Sequence, residues 1–307
     1  MGALIMHRSL SALRSTRSSA RVARVVAIFV LAVGLAAAGQ AQIPDGPPRV
    51  SPPAVTSQVV GLAEVSVSYS RPGQRGRTLW GELVPYGEVW RTGANEATTI
   101  TFSHDATIEG QAIAAGTYAF FTEPGPDSWT LIFNSEAEQW GSLRHDPAKD
   151  VLRVEVTPQA ADPTEWLTVA FPEVAFDRAV GELRWGALRV PFEIRFATET
   201  EALSRARRLA AMATDTPEGA RGLYSWVAWM AANDIALDEA GDWAALLAEV
   251  DPGYRTQSLH ARLLAANGEI EAARRGAERA LALAAEQPDA RRVQQDAARL
   301  AEELRGW

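Results

Sequence analysis

The amino-acid sequence predicts a mainly β domain, an antiparallel sandwich or barrel-like structure, followed by an α-helical domain. Residues 51–196 contain short runs in which apolar and polar residues alternate with the spacing of strands. Turn residues separate these runs, and no amphipathic helix lies between them, which argues against a parallel sheet built from βαβ units. From residue 197 to residue 307 the apolar residues recur with the spacing of helices.

Alternation in the first domain is clearest at Glu64–Ser70, where Val65, Val67 and Tyr69 share one face. Glu109-Gly110 predicts a tight turn, and the Pro-Gly-Pro-Asp sequence at 124–127 predicts a hairpin between two further strands. The predicted strands are Glu64–Ser70, Thr98–Ser103, Thr107–Ile113 around its turn, Thr117–Thr122, Trp129–Asn134, Val151–Val156, Leu167–Phe171, Glu182–Trp185 and Pro191–Phe196.

The second domain resembles tetratricopeptide repeats. Ala231-Ala232-Asn233 recurs as Ala265-Ala266-Asn267 with the 34-residue period of that repeat. Two imperfect units bury little surface, so we expect this segment to depend on the β domain for stability. The predicted helices are Glu199–Ala213, Ala220–Ala232, Leu237–Val250, Gln257–Ala266, Ile270–Glu286 and Ala290–Leu304.

Residues 1–41 have the organisation of a signal peptide. Residues 1–24 are basic, Val25–Ala38 is an apolar run, and Gly39-Gln40-Ala41 places small residues where a signal peptidase requires them. We therefore expect cleavage after Ala41, a Pro/Gly linker at 42–50, and a periplasmic or secreted bacterial protein. An uncleaved membrane anchor is the alternative, although the apolar run is short for a span.

Composition excludes several classes of protein. Without residues 1–41 the chain keeps 25 of its 30 Lys and Arg residues and all 38 Asp and Glu residues, which gives a net charge of −13. Because so acidic a protein would be repelled by phosphates, we expect no nucleic-acid partner. The absence of cysteine excludes disulfides, zinc–thiolate sites and thiol catalysis. After signal cleavage no apolar run is long enough to span a membrane, and we expect no membrane partner.

Residues 71–98 interrupt the strand pattern, and we call this segment the Arg/Trp loop. Long irregular connections in compact domains are usually functional or disordered, and the aromatic content here argues against disorder. Guanidinium groups bind carboxylate, phosphate or sulfate with forked hydrogen bonds, and aromatic rings stack on sugars. The predicted ligand-binding residues are Arg71, Arg75, Arg77, Tyr86, Trp90, Arg91, Asn95 and Glu96.

A structural role is the alternative for the same loop. Its arginines would then pair with Glu82, Glu88 and Glu96 and stack on Trp80 and Trp90, and the loop would act as a clasp on the sheets.

Several short motifs in and around the loop resemble those of the domain-of-unknown-function 2911 family. They are Tyr69-Ser70-Arg71-Pro72, Gly76-Arg77, Gly81–Gly87, Trp90–Thr98, Ala115–Tyr118 and Phe133-Asn134. The string at Trp90–Thr98 (WRTGANEAT) is highly specific, and the similarity extends over about residues 51–196. This resemblance implies an exported bacterial protein, in some members with a helical tail, and it implies no catalytic residue.

The sequence contains little that indicates catalysis. His104-Asp105 and His145-Asp146 are both His-Asp pairs near strand ends, and two such pairs would bind a metal or form a base if they met. No spaced ligand motif, nucleophile elbow, phosphate-binding loop or dinucleotide fingerprint accompanies them. We therefore expect no metal and no cofactor.

The sequence favours an exported binding or scaffold module that holds an anionic or sugar-like ligand on the Arg/Trp loop. One alternative is a hydrolase acting on cell-envelope or sugar substrates with Glu96 or the histidines as acid and base. Another is a structural protein that binds a protein partner through its helical tail.

Overall fold

A computed structural model describes residues 47–286 and 291–306, and it shows two antiparallel sheets followed by helices. The strands, in chain order, are β1 (Pro53–Val60), β2 (Ala63–Ser70), β3 (Thr99–Phe102), β4 (Ala106–Ile108), β5 (Gln111–Ile113), β6 (Gly116–Pro124), β7 (Trp129–Asn134), β8 (Asp150–Val156), β9 (Gln159–Val174) and β10 (Arg178–Phe196). One sheet has the order β1-β2-β3-β6-β7-β8, and the other has the order β5-β4-β10-β9.

The two sheets pack face to face as a sandwich. Alternation determines which side chains enter the core, as in β2, where Val65 and Val67 are fully buried and Glu64 is exposed. The centre contains large aromatic side chains from both sheets, including Phe120 and Phe133 of the first and Phe192 of the second. The fold prediction is confirmed in its sandwich form, and within the described residues the sheets do not close into a barrel.

The hairpin of β9 and β10 is longer than the sequence indicated. The predicted segments Leu167–Phe171, Glu182–Trp185 and Pro191–Phe196 belong to these two continuous strands, which pair with several register shifts. At one shift Gly186 has a φ of 56°, a conformation that favours glycine. Strand β1, which pairs with β2 along its whole length, was not among the predicted strands.

Six helices follow within the described residues. They are α1 (Thr198–Ala210), α2 (Pro217–Ala232), α3 (Leu237–Val250), α4 (Tyr254–Ala266), α5 (Ile270–Ala285) and α6 (Arg291–Arg305). Each helix packs against the next one in the chain. Thr216 caps the N-terminus of α2 by accepting a hydrogen bond from the Gly219 amide, and Pro217 occupies the first turn. This arrangement agrees with the predicted helical tail.

The helices contact the sandwich at the tip of the β9–β10 hairpin. The ring of Phe176 lies edge-on against Trp229 of α2, with centroids 6.0 Å apart. Gly61, in the β1–β2 turn, has a φ of 58°, and a Cβ there would lie 2.2 Å from the Phe176 carbonyl oxygen and 2.5 Å from the Thr198 side chain. The β1–β2 turn, the hairpin tip and the start of α1 are therefore tightly packed together.

The predicted signal peptide, at residues 1–41, lies outside the described residues, as do residues 42–46 of the predicted linker. Among the described helices none is both long and apolar enough to cross a membrane.

Candidate functional site

The Arg/Trp loop connects β2 to β3 and folds back over one end of the sandwich. Its first part closes a turn in which the Val84 amide donates to the Leu79 carbonyl at 2.8 Å. Its second part adds to β6, where Trp90 and Thr122 exchange backbone hydrogen bonds of 2.7 and 2.9 Å. The segment is therefore an ordered part of the domain, as its aromatic content predicted.

Four tryptophans meet beneath the loop. Trp80 and Trp90 come from the loop, Trp129 from β7 and Trp185 from β10. Trp90 and Trp185 stack with centroids 5.8 Å apart and planes 15° apart, while Trp80 presents an edge to the other three rings. Such pairs contribute about 0.5–1.5 kcal/mol each beyond the burial of their area. The cluster joins the two sheets and anchors the loop.

The WRTGANEAT string forms a tight, partly strained turn. Thr92 is fully buried with a φ of 54°, which is unusual for a β-branched residue, and its hydroxyl bonds the Thr122 hydroxyl at 3.2 Å. Asn95 has a φ of 63°, and its amide nitrogen donates to the Ser51 carbonyl and the Ser70 hydroxyl. Residues held in left-handed conformations cluster at ligand sites, where the surrounding structure imposes them.

A cavity of about 350 Å³ opens between the loop and its surroundings, and we call it the Arg/Trp cavity. Four of the eight predicted ligand residues line it, namely Arg75, Arg77, Trp90 and Arg91. Lining residues that were not among the predicted ligand residues include Ser51, Glu88, Ser142 and Trp185. Ser142 and Trp185 lie far from the loop in the chain, and no local pattern in the sequence could have associated them with it.

The three lining arginines are held by backbone carbonyls. Arg77 donates from Nε to the Gln74 carbonyl at 2.9 Å and from Nη2 to the Gly73 carbonyl at 2.6 Å. Arg91 donates to the Gly93 carbonyl at 3.4 Å, and Arg75 donates to the Val50 carbonyl at 3.4 Å. No ion pair with a carboxylate is found for these three guanidinium groups in residues 47–286 and 291–306.

The other four predicted residues lie outside the cavity lining. Arg71 donates to the Leu167 carbonyl and the Thr168 hydroxyl, both at 2.8 Å, and so joins the loop to β9. Asn95 makes the turn contacts described above, and the ring of Tyr86 covers Gly81. The Glu96 carboxylate accepts two hydrogen bonds from Arg49, which lower its pKa. The alternative pairing of loop arginines with Glu82, Glu88 and Glu96 is thus not found among the described residues.

The two His-Asp sequence pairs occupy different environments. His145 bonds Asp150 at 2.8 Å, both side chains are nearly buried, and the imidazole lies edge-on against Phe121. Its sequence neighbour Asp146 instead accepts a hydrogen bond from the Ala148 amide and caps a short 3₁₀ turn. His104 contacts the Ser103 hydroxyl at 2.9 Å. Within the described chain, no three His, Asp or Glu residues lie close enough to hold a metal.

The geometry defines a class of protein: a two-sheet antiparallel domain with an arginine-lined cavity at one end, followed by a helical tail. Residues 51–194 match the model of the family described as protein of unknown function (DUF2911), and the sheet domain belongs to that family. Searches of curated proteins and of solved structures gave no match to the chain.

Proposed function

We propose that the protein is an exported binding module and that the Arg/Trp cavity holds a small anionic or sugar-like ligand. The observation that carries this proposal is the state of the three lining arginines. They line one cavity, and their guanidinium groups form no ion pair with a carboxylate in the part of the chain described above. Arginines elsewhere on the same sheets, such as Arg153, Arg189 and Arg195, form ion pairs.

The hydrogen bonds to backbone carbonyls support a binding role because they orient the guanidinium groups in advance. A guanidinium has five N–H donors, and Arg77 uses two of them on the loop backbone. The remaining donors are available to an anion, and the ordering of these long side chains is already partly complete. The lining contains three arginines and one acidic residue, Glu88, and the Glu165 carboxylate at its edge accepts a hydrogen bond from the Arg75 amide. Arginines therefore outnumber carboxylates at the cavity, in a chain of net charge −8.

Export rests on the sequence of residues 1–41. A basic segment, an apolar run and small residues at the expected cleavage site support a location in the periplasm or outside the cell. Mass spectrometry of the natively produced protein should give a chain that begins at Gln42, and an intact chain from Met1 would contradict export by cleavage.

The binding proposal is tested with two arginine variants, Arg77→Ala and Arg91→Ala. Calorimetric titration of the parent with sulfate, citrate and glucuronate should give at least one saturable ligand, and each variant should weaken its binding about tenfold or more. Because neither arginine has an ion-pair partner in the described chain, and their hydrogen bonds reach only carbonyls two to four residues away, the melting temperatures should change little.

Arg221→Ala is the matched control. Arg221 is exposed on α2, and its one ion pair among the described residues is with Glu218 three residues earlier, so its loss removes the same charge away from the cavity lining. It should leave binding unchanged. The proposal would be refuted if the parent bound none of the panel, or if Arg221→Ala weakened ligand binding as much as Arg91→Ala does.

A further inference from the structure

We propose that the ligand of the Arg/Trp cavity is an acidic sugar, a pyranose that carries a carboxylate or sulfate group, and not a simple inorganic anion. This inference rests on the proposed binding function and makes it more specific. It is based on three kinds of residue in the lining: the arginines, the acidic residue Glu88, and the apolar residues beside them.

The carboxylate of Glu88 is the first argument. It lines the same cavity as Arg75, Arg77 and Arg91. An ionised carboxylate only accepts hydrogen bonds, so it repels sulfate or any other anion that has no O–H to donate. A ligand that carries both an anionic group and hydroxyl donors satisfies both kinds of lining group. Acidic sugars have this combination.

The apolar part of the lining is the second argument. Trp90, stacked on Trp185, lies beside Leu83, Val84 and Val89. A fully hydrated inorganic anion gains nothing from such a surface. The C–H face of a pyranose packs favourably on an indole ring, and a site of this size falls at the lower end of the range for small-molecule pockets, about 300–1,000 Å³.

Exposed aromatic rings next to the cavity extend this surface. Trp166 forms a bridge with the lining residue Gly73 and is 39% exposed. Tyr86 follows the lining residue Pro85 and is 43% exposed. Large exposed aromatic side chains beside a polar pocket are typical of sites that hold sugars or other ring-shaped ligands. We expect these exposed rings to contact a neighbouring sugar unit when the ligand is a longer chain.

The first test compares three probes on the full mature protein: glucuronate, glucose and sulfate, each titrated calorimetrically and by tryptophan fluorescence. Glucuronate should bind at least tenfold more tightly than either glucose or sulfate, because only glucuronate uses the arginines and Glu88 together. It should also change the tryptophan fluorescence, since Trp90 and Trp185 line the cavity.

The second test separates the role of Glu88 from general electrostatics. Glu88→Gln removes the negative charge at nearly constant volume, so it should weaken glucuronate about tenfold and strengthen sulfate severalfold. Glu82→Gln is the matched control, since Glu82 is exposed on the same loop and does not line the cavity. It should change neither affinity appreciably.

The possible failures are distinguishable. If sulfate binds as tightly as glucuronate, and Glu88→Gln strengthens both, the cavity is a simple anion site: the acidic-sugar inference is wrong and the binding function stands. If none of the three probes binds and citrate does not bind either, both the acidic-sugar inference and the proposed binding function are wrong.

Discussion

Replacing Arg71 distinguishes best between a binding role and a structural role for the loop arginines. Its guanidinium lies outside the cavity lining and donates hydrogen bonds of 2.8 Å to the Leu167 carbonyl and the Thr168 hydroxyl. These contacts connect residues almost a hundred positions apart, whereas the carbonyl contacts of Arg77 stay within the loop. Replacing Arg71 should therefore affect stability, and replacing Arg77 should affect binding.

The expected loss of stability in Arg71→Ala follows from these two hydrogen bonds. A hydrogen bond from a charged donor contributes about 1.5–3 kcal/mol. Both bonds come from one partly exposed side chain, so they contribute less than their sum, and Arg71→Ala should lower the free energy of unfolding by about 2–3 kcal/mol. In a chain of this size that corresponds to a fall in Tm of roughly 4–12 °C. Leu167 is buried, so its carbonyl has little access to water that could replace the arginine.

Differential scanning calorimetry of Arg71→Ala beside Arg77→Ala measures the difference, and titration with the best ligand of the panel completes the comparison. Arg71→Ala should melt at a lower temperature than the parent and still bind the ligand below that temperature. Arg77→Ala should melt near the parental temperature and bind the ligand weakly. An Arg71→Ala protein with parental Tm and lost binding would refute the reasoning, because it would place this guanidinium in the ligand site.

Two further predictions concern the helical tail. Phe176→Ala removes the ring that contacts Trp229, so the free energy of unfolding of the helical tail should fall by roughly 1–2 kcal/mol. Thermal unfolding followed by far-UV circular dichroism measures this change. A helical transition at the parental temperature would contradict the dependence of the tail on the sandwich. Burial lowers the pKa of His260 in α4, with a contribution from Arg279. The unfolded chain, with a histidine pKa of about 6.5, then binds the proton more readily, so stability is present above that pH and is lost as the pH falls below it. Urea titrations from pH 7.5 to 5.5 should show this loss, and His260→Gln should reduce it; equal slopes in both proteins would rule out His260 as the source.

The elements that could be predicted from the sequence are those whose pattern is local. Strand β2 alternates between buried and more exposed residues. Strands β6 and β7 are mostly buried on both faces, and they could be predicted as short apolar runs on either side of the turn at 124–127. Strand β1 follows a Pro-rich segment, and only its last residue is buried, so its pattern is weak. The long β9 and β10 strands contain Pro, Gly and charged residues at bulges and exposed positions, which divide the apolar pattern into shorter runs.

The candidate site was predicted in part for the same reason. An unusual density of arginine and tryptophan is visible in the sequence and indicated the loop that forms the cavity. Whether a guanidinium meets a backbone carbonyl depends on chain segments brought together only by folding, as Arg71 meets β9. The partner of Glu96 proved to be Arg49, which lies in the segment predicted as a linker and not in the loop.

The β9–β10 hairpin sets a distance between the two ends of the protein. Trp166 of β9 lies beside the cavity, and β9 continues to Val174, two residues before Phe176 at the helical tail. At about 3.3 Å per residue, those eight residues cover about 25 Å. A ligand that fills a cavity of about 350 Å³ is far too short to reach the helices. A molecule that engages both ends must be a polymer or another macromolecule, and a monomeric ligand leaves the helical surface free for a separate partner.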